Sequence, residues 1–229
     1  MDDQNIEMIG MKLANRAYLY RVFHIVFGAE PSSEEIGILS DALTLDAFRY
    51  LRDADATAAN FEHTLELLDS LDDKATDESF IDGLRSDYIR LLQVPGPNYV
   101  YIWESPYIGK QKTIFQESTL DVRYRFREYG FEAEEAGHFP EDHLSMMLDF
   151  LAHLSTRAFD AFGDGDDNEA TRIVASQKNF VETHLMNWFH LFLDDLEKKD
   201  EAGMYYQLAE ALYGFLRIDA LFAEEFLAR

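Results

Sequence analysis

The chain contains no cysteine among its 229 residues. That removes disulfides, thiolate nucleophiles and cysteine-ligated zinc or iron–sulfur centres together, and it suits a reducing compartment. Basic residues are scarce: 20 Lys and Arg stand against 44 Asp and Glu, a formal charge of −24. A phosphate backbone would be repelled unless the few cations gathered on one face, and they do not, so nucleic acid is not an expected partner. The densest group is Arg123, Arg125 and Arg127, which alternate with Tyr124 and Phe126 and fit a surface helix. No apolar run approaches the roughly 20 residues that span a bilayer, and the opening Met1-Asp2-Asp3 is the reverse of a basic signal-peptide start. A soluble cytoplasmic protein is expected.

Hydrophobic residues make up 47% of the chain and aromatics 14%, far more than a disordered acidic chain would carry. The length lies in the upper range of one domain, so residues 1–229 are read as a single domain. The acidity then belongs to a folded surface. It serves solubility, adaptation to high salt or attraction of a basic partner, and charge alone does not separate these.

Helical periodicity dominates. Ile6, Ile9, Leu13, Ala17, Tyr20 and Phe27 share one face of a first helix that Gly28 and Pro31 end. Ser32-Ser33-Glu34-Glu35 has the form of a capping box, with Ser32 and Glu35 satisfying each other's amides. Further helices are expected over Leu43–Arg52, Ala58–Leu71 and Asp77–Leu92. Val94-Pro95-Gly96-Pro97-Asn98 cannot continue a helix. The β-prone Tyr99-Val100-Tyr101-Ile102-Trp103 has no second such run to pair with, so it is read as an extended loop. Ser118-Thr119-Leu120-Asp121 resembles another capping box, opening a helix to about Tyr129.

The best-marked helix is expected to begin at Pro140, followed by Glu141 and Asp142 at the positive end of the dipole. Leu144, Met147, Leu148, Leu151 and Leu154 form its apolar stripe. The wheel puts Asp142, Asp149 and His153 on the polar side and His143 on the apolar flank. The next helix carries Ile173, Val174, Phe180, Leu185 and Trp188, with Gln177 and His184 interrupting the stripe as hydrogen-bonded core residues. A final helix covers about Glu201–Leu227. The fold class is all-α, a helical bundle with a long proline-containing loop near its middle.

No glycine-rich phosphate loop, nucleophile elbow or paired-histidine metalloprotease spacing is present. Asp164, Asp166 and Asn168 imitate the start of a calcium loop but lack its glycine and its terminal glutamate. No cofactor and no resident metal are expected. The alternative to a binding function is a metal-dependent hydrolase using Asp142, His143 and His153. Trp103, Glu104 and Tyr107 are expected on a loop, where binding residues concentrate, although Trp103 could equally plug the core.

Three blocks resemble the TorD/DmsD family of redox-enzyme maturation chaperones, and more distantly the NarJ group. They are Asp87-Tyr88-Ile89-Arg90-Leu91-Leu92 with its Gly-Pro break, Trp103-Glu104-Ser105-Pro106-Tyr107, and Phe139-Pro140-Glu141-Asp142-His143-Leu144 with the helix behind it. Phe139 stands where the family often has Glu, and Leu92 with Gln93 departs from its usual Phe. The resemblance implies a TorD-like bundle and a non-catalytic chaperone. Such a chaperone binds the twin-arginine signal peptide and apoenzyme of a molybdenum-cofactor oxidoreductase of the dimethyl sulfoxide or trimethylamine oxide reductase class. It places Trp103, Glu104, Ser105, Tyr107, Phe139, Pro140, Glu141, Asp142 and His143 in the peptide-binding region. The family also admits a homodimer formed by helix exchange, and nucleotide binding that no motif here supports. Paired arginines joined to an apolar stretch require carboxylates beside an aromatic and aliphatic surface.

Overall fold

The computed structural model describes residues 3–54, 61–132, 140–200 and 203–229. Its helices are α1 (Asp3–Gly28), α2 (Ser33–Ser40), α3 (Ala42–Ala54), α4 (Phe61–Asp69), α5 (Glu78–Tyr88), α6 (Ser105–Ile108), α7 (Glu117–Glu128), α8 (Leu144–Gly163), α9 (Asp167–His184), α10 (Phe189–Asp200) and α11 (Met204–Leu227). A 3₁₀ turn at Asp72–Lys74 precedes α5, and a π turn at Ile89–Gln93 follows it. Among the described residues there is no strand, so the all-α expectation holds, and the Tyr99–Trp103 run is extended chain as read. No described helix is long and apolar enough to cross a membrane.

The bundle is centred on α8, which lies along α1 on one side and α9 on the other, with α11 closing the far face. Aromatic side chains fill the interior because a helix presents a large ring to its neighbour every third or fourth residue. Phe23 of α1 stacks on Phe215 of α11 at 5.9 Å and meets Phe48 of α3 edge-on at 5.7 Å. Phe150 of α8 joins Phe126 of α7 and Phe180 of α9 at 4.8 and 5.0 Å. Each such ring, fully buried, contributes roughly 1.5–3 kcal/mol relative to exposure.

Local signals set several boundaries. The capping box at α2 forms as its residues predict: the Ser32 amide donates to Glu35 Oε2 at 2.6 Å and the Glu35 amide to Ser32 Oγ at 3.3 Å. Gly165, at φ +77°, takes the left-handed turn that ends α8. Other boundaries differ from expectation. α9 stops at His184, and the Trp188 indole N–H donates to the His184 carbonyl at 2.6 Å, so a turn intervenes before α10. α8 begins at Leu144 rather than Pro140, with His143 as its N-cap.

One buried polar cluster ties the first long helix to the last. Arg16 of α1 and Asp219 of α11 are both buried and joined as a bidentate ion pair, and the Tyr20 hydroxyl adds a bond to Asp219 Oδ2 at 2.8 Å.

Candidate functional site

The second and third sequence blocks are brought together. Leu144 N donates to Ile102 O at 2.9 Å and Glu104 N to Asp142 O at 3.1 Å, an antiparallel bridge that pairs Trp103 with His143. The Trp103 indole is nearly buried and sits edge-on to the His143 ring at 4.8 Å, so it plugs the wall rather than standing free.

Asp142 corrects the helical-wheel reading. It precedes the helix, is 0% exposed, and accepts from the Ser105 amide and the Thr119 hydroxyl, both at 2.8 Å. A carboxylate taken from water survives only when its lone pairs are filled, and here the start of α6 and the first turn of α7 fill them. Thr119 in turn accepts from the Gln116 amide at 3.3 Å, so Gln116, rather than the expected Ser118, caps α7. Glu141 is also largely buried and takes a two-pronged bond from Arg123 at 2.5 and 2.8 Å. Pro140 is buried beside them. Phe139 and His138 lie outside the described residues.

His143 accepts from the Ser145 amide through Nδ1 at 3.2 Å, which requires an unprotonated nitrogen. Burial, and then the neighbouring His24, hold its pKa down to about 4, in keeping with that role. Tyr107 stacks on Trp188 at 5.3 Å and donates to the Tyr101 carbonyl at 3.0 Å, and burial pushes its phenol up.

Glu104 is the member of the set that meets a cleft. Its side chain is buried, yet it lines an open cleft of about 760 Å³ walled by α6, α7 and the end of α9. There His184 stands between two carboxylates, with Nδ1 3.0 Å from Glu104 Oε2 and Nε2 2.8 Å from Asp121 Oδ2. Burial pushes the Glu104 carboxyl up; the His184 and Asn187 contacts only partly offset this. Around these polar groups the cleft carries apolar side chains exposed to solvent: Ile108 at 42%, Leu120 at 61% and Tyr124 at 64%.

The sequence reading therefore found one wall and missed the other. Asp121, Leu120 and Tyr124 were hidden in what reads as an ordinary amphipathic helix. The polar break that His184 makes in an apolar stripe was the available signal, and it marks a core residue that also reaches a cleft. Gln177, its companion, is a core residue only, donating to Leu151 O and Ser155 Oγ at 3.0 and 2.7 Å.

The hydrolase alternative gains nothing from this geometry. Among the described residues no group of three or more His, Asp or Glu is placed to hold a metal, so Asp142, His143 and His153 form no such set. Asp142 and His143 are committed as above, the His153 ring packs against Phe131 at 5.5 Å, and Asp149 pairs with Arg21 of α1 at 3.1 Å.

The family described as nitrate reductase delta subunit has a model that matches residues 53–194, which include the whole cleft. The chain belongs to that family. Its similar curated relatives are chaperones. The chaperone protein TorD of Vibrio parahaemolyticus is 22% identical over 207 residues, covering 90% of this chain and 94% of the relative. That of Vibrio cholerae is 25% identical over 211 residues, covering 91% and 93%. That of Photobacterium profundum is 26% identical over 139 residues, covering 61% and 63%. The resemblance to TorD-type chaperones, a family without enzymatic activity, is thereby established over nearly the full chain.

Proposed function

We propose that this chain is a maturation chaperone that holds the twin-arginine signal peptide of a molybdenum-cofactor oxidoreductase in the cleft between α6, α7 and the end of α9. The observation that carries the reading is the pairing of chemistries in that cleft. Carboxylates of Glu104, Glu117 and Asp121 stand beside exposed Ile108, Leu120 and Tyr124. A leader with two guanidinium groups and an apolar stretch matches both halves. Ser118 also lines the cleft.

In this arrangement Glu104 acts at the cleft. Trp103, Ser105, Tyr107, Pro140, Glu141, Asp142 and His143 build the wall that fixes the turn on which Glu104 stands. The client is the apo form of an oxidoreductase of the dimethyl sulfoxide or trimethylamine oxide class, with the chaperone acting on it in the cytoplasm before export.

The test is a titration of a synthetic twin-arginine leader against the wild-type chain and Leu120→Ser/Tyr124→Ser, whose altered side chains are solvent-exposed and leave the core intact. The wild type binds with affinity that falls as salt rises, and the double variant binds at least about tenfold more weakly. Equal affinity in the two folded proteins overturns the placement. No binding by the wild type overturns the function.

A further inference from the structure

The segment between α6 and α7, Gly109–Gln116, runs Gly-Lys-Gln-Lys-Thr-Ile-Phe-Gln without helix and borders the cleft. Lys110 lines the cleft wall, and among the described residues neither it nor Lys112 makes an ion pair. This is unusual placement in a chain with 44 acidic residues and 20 basic ones. Two residues on, Ile114 and Phe115 are exposed at 38% and 61%. Phe115 also holds φ +64°, the one non-glycine residue in the left-handed region among those described.

A single side chain latches the segment. Gln116 Nε2 lies within hydrogen-bond distance of the carbonyls of Ser105, Gln111 and Thr113, at 2.9, 2.8 and 2.7 Å. Gly109 allows that latch, because a Cβ there would stand 2.1 Å from Gln116 Oε1. The segment is thus a strained, pinned strap. It presents two cations followed by two apolar side chains, the same two chemistries that the cleft's carboxylates and exposed apolar residues complement.

We propose that this strap is a built-in competitor for the cleft, in which Lys110 on the cleft wall, held in no ion pair, supplies positive charge to its carboxylates through space, with Lys112 two residues on, until a cationic, apolar peptide takes its place. The idea rests on the leader-binding reading and adds its regulation. This weak, long-range competition would select against peptides with a single cation, since these gain too little to outweigh the strap's own charge.

The experiment titrates one synthetic twin-arginine leader against wild type, Lys110→Gln/Lys112→Gln and Gln116→Ala, the last leaving charge unchanged. Both variants bind about three- to tenfold more tightly than wild type, and hydrogen exchange at residues 110–116 of the wild type quickens when peptide is added. If wild type binds but Gln116→Ala binds equally or more weakly, the strap is no competitor, and a gain confined to the lysine variant reflects net charge alone. Slower exchange in the strap on peptide addition would mean that it closes over the ligand, which also overturns the proposal. Failure of all three proteins to bind removes the leader-binding reading and the strap's role with it. Binding by the variants alone overturns the leader-binding reading of the wild-type chain and the strap's role with it.

Discussion

Asp142 holds the hydroxyl of Thr119 at 2.8 Å, so the turn that opens α8 is fastened to the first turn of α7. The same carboxylate takes the Ser105 amide, and it is fully buried. Asp142→Ala strands two buried donors and is expected to cost about 2–4 kcal/mol of folding stability, with Asp142→Asn costing less. Urea unfolding with an unchanged denaturant slope measures this. Full stability in Asp142→Ala would show that the carboxylate is dispensable to the fold.

The Arg16 and Asp219 pair makes a second prediction. Removing one partner leaves a buried uncompensated charge, so Asp219→Ala is expected to lose about 3–5 kcal/mol. Arg16→Met/Asp219→Leu removes both charges and keeps volume, and it should recover most of that loss. A double variant no more stable than the single one would mean that the pair itself, and not relief of an unpaired charge, sets the stability of this contact.

His143 gives the fold a pH dependence of definite sign. Its folded pKa lies near 4, below the ordinary histidine value of 6.5, so between these the unfolded chain binds a proton that the folded chain refuses. Its contribution is fully present above pH 6.5 and is lost as pH falls toward 4, by on the order of 1–3 kcal/mol. Unfolding curves for wild type and His143→Asn at pH 7 and pH 5 isolate it. The difference between the proteins should shrink at pH 5, and a constant difference would remove histidine titration as the cause.

Much of the fold could be read along the chain because its signals are local. Ser32 and Glu35 sit three residues apart and satisfy each other wherever the rest of the protein lies. The meeting of the Trp103 and His143 segments was also anticipated through the family resemblance. The start of α8 was not legible. Pro140, Glu141 and Asp142 suit a helix N-terminus, and the same residues suit the turn before one. Thr119 and Ser105, 23 and 37 residues away from Asp142, decide between these. The end of α9 escaped for a similar reason: no glycine or proline marks it, and the indole of Trp188 folds back on the His184 carbonyl instead. The cleft was half legible, since the exposure of Leu120 and Tyr124 depends on which face of α7 the rest of the bundle covers.

The ring of His184 joins Glu104, 80 residues earlier, to Asp121, 63 residues earlier. During synthesis, then, α6 and α7 leave the ribosome well before the residue that bridges them, and a nascent chain short of α9 lacks that wall of the cleft. On the reading proposed for the cleft, competence to receive a client comes late in translation, after most of the bundle's own apolar surface already exists to be buried.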